Sequence, residues 1–88
     1  MKIKDGFVLR QVADSWMAVP VGSMAGKIHG LIALNDTGAE IWKILEKDRT
    51  EEEVVELLSE IYDADREELR EQALAFIRDL REKEILDL

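Results

Sequence analysis

The stretch from Gly30 to Trp42 (GLIALNDTGAEIW) constrains the fold most, because it runs a short, wholly apolar segment directly into a capped helix. Leu31 to Leu34 show no polar alternation, which fits a strand with cover on both faces. Asn35 is a good N-cap, and Ile41, Trp42, Ile44 and Leu45 follow it at helical spacing. A chain of 88 residues has little material with which to cover both faces of such a strand, so a second chain completing the cover is one option.

Upstream, residues 7–12 and 16–21 are rich in β-branched and aromatic side chains and read as a hairpin closed by Ala13, Asp14 and Ser15. Pro20 suits only a strand end or a position whose missing N–H faces no partner. A glycine-bounded loop, Gly22 to His29, leads to a third strand at 30–34. Downstream the spacing predicts three helices, at 36–47, 51–61 and 66–83. Thr50 with Glu53 forms a capping box for the second, and Asp65 with Glu68 repeats the pattern for the third. Each cap contributes roughly 1 kcal/mol. Val54, Leu57, Leu58 and Ile61 form the expected buried stripe of the second helix; Leu69, Ala73, Phe76, Ile77 and Leu80 form that of the third. Residues 85–88 are open between a frayed end and a short strand. The expected architecture is one α+β domain over 1–88, with an N-terminal three-stranded antiparallel sheet followed by three helices.

Composition narrows the function. Apolar residues make up 47% and charged residues 36%, and there is no cysteine, which excludes disulfides, thiolate metal sites and cysteine nucleophiles. No apolar run is long enough to span a bilayer and no secretory signal opens the chain, so a cytoplasmic protein is expected. The net charge of -8 lies wholly in the second half: residues 1–48 carry six basic and six acidic side chains, residues 49–88 six and fourteen. Thr50 to Asp65 holds seven acids and no base, a segment that repels polyanions.

On the third helix the arginines share a flank. Stepping about 100° per residue from Leu69, the apolar stripe centres near 20°, while Arg66, Arg70, Arg81 and Arg78 fall at roughly 60°, 100°, 120° and 180°, with Leu74 among them at about 140°. Ordinary solvated charge, helped by the pair Arg78 and Glu82 at i, i+4, explains such residues one by one, with Leu74 as one exposed leucine. Together, Arg66, Arg70, Leu74 and Arg78, spaced by four, form a ridge suited to an acidic and apolar ligand, and like charges at that spacing call for compensation.

Catalysis finds little support. His29 is the one histidine and sits in a glycine-flanked loop with no nucleophile motif; Glu51 to Glu53 fall in a helix's first turn, where the macrodipole favours them; and no phosphate-binding glycine pattern or calcium loop is present. No cofactor or metal is expected. Three strands with a helix-turn-helix corner outline a winged-helix domain, so a DNA-binding or transcription-associated domain is the alternative. Its backbone-crossing helix would carry the seven uncompensated acids, which opposes nucleic-acid binding. A peptide joining an open strand edge, with the third helix as a wall, fits the residues better.

The hairpin from Phe7 to Gly22, the block Leu34 to Trp42 (LNDTGAEIW), the start Thr50 to Glu53 and the ending Phe76 to Leu86 together resemble the PqqD-like family. These peptide chaperones, also called RiPP recognition elements, present the leaders of ribosomally made precursor peptides to modifying enzymes. The resemblance spans nearly the whole chain and implies a winged-helix-like domain without catalytic activity. It also implies a leader peptide that adds as a strand to the third strand and lies against the third helix. On this chain the implied strand residues are Leu31, Ile32, Ala33 and Leu34. The arginine flank supplies the helix residues Arg66, Arg70, Leu74, Ile77 and Arg81. A freestanding member is expected, served by a separate enzyme such as a radical SAM maturase or a cyclase and protease assembly. An open edge also admits self-pairing into a homodimer.

Overall fold

The computed structural model describes residues 1–28 and 30–88. Two compact units divide the chain, one of Lys4–Ala39 and one of Met1–Ile3 with Glu40–Leu88.

The first unit is the sheet. β2 (Phe7–Val12) pairs antiparallel with β3 (Ser15–Pro20), which pairs antiparallel with β4 (Ile32–Leu34), in the order β2-β3-β4; β1 (Lys2–Ile3) belongs to the other unit. Val12 lies opposite Ser15, so the hairpin loop is Ala13 and Asp14 alone, with Ala13 in left-handed backbone at φ 55°. The loop after β3 is more ordered than its glycines suggest. Residues Gly22–Gly26 form a 3-10 turn that buries Met24, and the Val21 N–H donates to the Gly6 carbonyl at 2.8 Å. Gly6 has φ 109° and a side chain there would bring its Cβ to 2.8 Å from the Cβ of Met24, so only glycine fits.

The third strand is shorter than expected and is not covered on both faces. It begins at Ile32, leaving Leu31 outside it and 59% exposed, and it alternates half-buried Ile32, exposed Ala33 and half-buried Leu34. The register sets this alternation: Ile32 and Leu34 lie opposite Ala18 and Trp16, on the face that includes the fully buried Ala18, while Ala33 lies opposite Met17 on the other. Next comes α1 (Asp36–Ile44), capped as expected by Asn35, whose Oδ1 accepts from the Gly38 N–H at 2.7 Å.

In the second unit α1 ends at Ile44 rather than Lys47. Its last turn tightens to i→i−3 bonds at Glu46 and Lys47, and the freed Leu45 carbonyl accepts from the Ile3 N–H at 2.8 Å. α2 (Glu51–Ile61) begins with the expected capping box, both bonds present between Thr50 and Glu53. α3 (Arg66–Glu82) begins on Asp65, which accepts from the Glu67 N–H; the expected box with Glu68 reduces to this single cap. Ile41, Trp42, Leu45, Val54, Val55, Leu58, Leu69, Ala73, Ile77 and Leu80 are buried. Of the expected stripe residues Leu57 and Phe76 are half-buried and Ile61 is exposed.

The chain's tail is a strand. After α3 the Ile85 N–H donates to the Leu80 carbonyl and the Glu84 N–H to the Arg81 carbonyl, each at 3.0 Å, which is a Schellman ending with Glu84 in left-handed backbone at φ 59°. This turn delivers Ile85 and Leu86 to buried positions, and β5 (Leu86–Asp87) pairs antiparallel with β1, Ile3 opposite Leu86. An L side chain in that conformation costs about 1–2 kcal/mol. Glu84→Gly is therefore expected to stabilise the fold by about 1 kcal/mol, a rise of roughly 4–8 °C in Tm for a domain of this size. An unchanged or lower Tm would show that the Glu84 side chain offsets its own strain.

Candidate peptide-binding site

Pairing on one side only defines β4. Its inner edge meets β3 through Ile32, Ala33 and Leu34, and among the described residues no strand pairs with its outer edge. Backbone N–H and C=O groups point alternately to the two sides of a strand, so the outer edge presents groups that an extended chain can join. Leu31, immediately before the strand, adds an exposed apolar side chain.

On α3 the arginine flank turns toward α2. Arg66 donates to the Glu56 carboxylate at 2.8 Å, and Arg70 grips Glu52 with two bonds of 2.6 and 2.9 Å. The hydrogen bond from Arg70, then its charge, holds the Glu52 carboxyl below its usual range, and the same bond raises the Arg70 guanidinium. Glu52 thus serves two ends: it favours the helix N-terminus and, with Glu56 a turn further on, it compensates two like charges spaced by four on α3. That compensation, which the sequence requires, comes from within the chain.

Further along the flank the pairing stops. Glu51, Leu74, Ile77, Arg78 and Arg81 line a concavity of about 220 Å³. Ile77 is buried, Leu74 half-buried, and Arg78 and Arg81 are exposed. Neither Arg78 nor Arg81 makes an ion pair with a described residue. The volume is below that of ordinary small-molecule pockets and suits one or two peptide side chains.

Of the expected site residues, Leu74, Ile77 and Arg81 meet in this concavity, while Arg66 and Arg70 lie along the same flank with partners on α2. Leu31 to Leu34 belong to the sheet unit. One contributor escapes sequence reasoning. Glu51 reads as a first-turn charge and gives no sign of facing α3. Phe76, expected in the buried stripe, is half-buried at about 340° on the other flank and does not line the concavity.

Among the described residues no group of three His, Cys, Asp or Glu side chains is placed to hold a metal ion, and no helix is long and apolar enough to cross a membrane. His29 lies outside the described residues. The acids Glu51, Glu52, Glu53 and Glu56 are all exposed on α2, where a winged-helix DNA reader would cross the phosphate backbone.

A three-stranded sheet followed by three helices, with a free strand edge, is the frame on which comparison with known proteins rests. The chain belongs to the PqqD family: the profile described as coenzyme PQQ synthesis protein D matches residues 19–86. Its fold matches a structure described as TbiB1 in complex with the TbiA(beta) leader peptide, with TM-score 0.73 and 28% identity over 99% of this chain and 95% of that one. A lasso peptide synthetase B1 complexed with the leader peptide matches with TM-score 0.67 and 20% identity, over 93% and 91% of the two chains. No curated protein matches the chain.

The Glu52–Arg70 pair has a signed pH dependence. A carboxyl whose folded pKa is depressed contributes stability above its ordinary value, 4.5 here, and loses it as pH falls through the lower folded value. Glu52→Gln is expected to melt slightly below the parent protein near neutral pH, with the gap closing as pH falls below the ordinary carboxyl value. A gap that persists in acid would place the effect outside this ion pair.

Proposed function

We propose that this protein is a non-catalytic recognition element that captures the leader of a ribosomally synthesised precursor peptide by strand addition and presents it to a separate modifying enzyme. The observation that carries the reading is the free outer edge of β4 in a PqqD-family fold. Support comes from the structural neighbours described as complexes with leader peptides. The proposed strand contacts are Leu31, Ile32, Ala33 and Leu34: backbone pairing along β4, with the Leu31 side chain beside it. On α3, leader side chains meet Leu74, Ile77 and Arg81, and carboxylates of the leader use those N–H donors of Arg66 and Arg70 that Glu56 and Glu52 leave free, a guanidinium having five.

Binding converts a disordered leader into a fixed strand and so raises the effective concentration of the attached core peptide at the enzyme. Ordering the leader offsets part of the interaction energy, which sets affinity between micromolar and nanomolar. A radical SAM maturase and a cyclase and protease assembly both fit this role. A short precursor gene and a maturase gene beside this one would identify the pair.

The strand is tested by proline. Successive residues aim their N–H groups to opposite sides, so one of Ile32→Pro and Ala33→Pro removes an outward donor while the other disrupts pairing with β3. The outward one is expected to keep its Tm yet lose leader capture by isothermal titration, and hydrogen exchange of the 32–34 amides in the parent protein should slow when leader is added. Amides indifferent to leader would overturn strand addition. If sedimentation shows a leader-free dimer protected at the same amides, the edge pairs with itself instead.

The helix wall is tested separately. Leu74→Asp combined with Arg81→Glu should weaken leader binding with Tm nearly unchanged, since neither side chain is fully buried. Intact binding in that variant, with loss in Phe76→Ser, would move the wall to the opposite flank of α3.

A further inference from the structure

We infer that the concavity between the start of α2 and the second half of α3 selects leaders carrying a carboxylate beside a branched aliphatic side chain; this rests on the leader-binding reading above and names the chemistry of its ligand. Four observations point the same way. Leu74, half-buried, gives the concavity an accessible apolar surface backed by the buried Ile77. Arg78 and Arg81, three residues apart on one helix, complete its lining and are both exposed. Elsewhere on this flank every arginine has a carboxylate: Arg66 has Glu56 and Arg70 has Glu52. Arg78 and Arg81 have none among the described residues, in a chain whose net charge is -8, and Glu51, which lines the same concavity, forms no ion pair with either.

Fourteen acidic side chains lie within residues 49–88, so two uncompensated arginines there are not explained by a shortage of partners. A planar fork with no internal acceptor is a ready receiver for a carboxylate, and two forks three residues apart on the helix bracket one or two of them. The apolar surface then takes a neighbouring aliphatic side chain. Because alternate side chains of an extended peptide leave on the same side, the acid and the aliphatic residue are expected next to each other or two apart in the leader. Glu51 sharpens the choice, since a basic side chain entering the concavity would face two arginines against one glutamate.

The test uses the full 88-residue chain and a displayed library of random linear peptides of about 15 residues, long enough to pair with a strand and extend past it. Selection by the parent protein should enrich Asp or Glu within two positions of Leu, Ile or Val. Selection by Arg78→Glu with Arg81→Glu should lose that enrichment or exchange it for Lys and Arg. The best parent-selected peptide should bind the double variant about tenfold or more weakly, and its affinity for the parent should fall with added salt. Circular dichroism confirms that both exposed substitutions leave the fold intact. Selected peptides that slow exchange at the 32–34 amides but show no acidic preference, or bind both proteins alike, would overturn this inference and leave strand addition standing. Selection that enriches no peptide, or peptides that never protect those amides, would remove the underlying reading and this inference with it. Unaltered peptide selection together with lost association of a modifying enzyme would assign the arginines to that enzyme and equally overturn it.

Discussion

Backbone pairing on one side of a three-residue strand is the constraint from which the functional reading grows. β4 is held by β3 alone, through Trp16, Met17 and Ala18, and its other side has no partner among the described residues. An exposed edge invites unwanted pairing, and proteins limit that hazard by keeping edge strands short. Here the strand is bounded closely: Gly30, at φ 84°, precedes it by two residues and Asn35 turns the chain into α1 immediately after it. Three residues offer too few hydrogen bonds to hold an arbitrary strand, so a ligand must add side-chain contacts to bind well. That requirement links the free edge to a selective surface elsewhere on the molecule.

Charge distribution supplies such a surface on α3. The acids of α2 are commonly read as a solvated face, and in part they are, but Glu52 and Glu56 also neutralise the first two arginines of α3. Exposed ion pairs of this kind stabilise little. They also leave Arg78 and Arg81 as the arginines on this flank without an ion pair to a described residue. A charge-reversal at α2 would therefore act on α3's preferences as well as on its own helix.

The parts of the fold legible in the sequence were those announced by a side chain that itself makes the bond. Asn35 caps α1, and Thr50 with Glu53 caps α2, through the atoms their identities promise. What was illegible depended on backbone alone or on distant partners. Glu84 adopts a left-handed ending for which glycine is the usual sign, so the Schellman turn left no mark, and residues 85–88 stayed open between a frayed end and the short strand that pairs with β1. Four apolar residues in a row overstate β4, because Leu31 to Leu34 look alike in sequence while only register with β3 separates buried from exposed. At the candidate site, the arginine flank is visible from spacing, but the pairing of Arg70 with Glu52 eighteen residues earlier is not.

Two electrostatic effects of opposite sign would meet in an acidic ligand of the proposed kind. The chain's net charge of -8 repels an acidic leader at long range, whereas Arg78 and Arg81 attract a carboxylate once it is close. Screening separates the two by distance: at physiological ionic strength charges beyond about 8 Å are largely hidden from each other, so the distant acids of the chain fade while contacts within the concavity persist. The protein can thus favour an acidic side chain at one place while discouraging polyanions as a class, nucleic acids included. Under the proposed function, backbone addition at β4 would accept many sequences, and two arginines without an ion pair beside Leu74 would be a means of choosing among them.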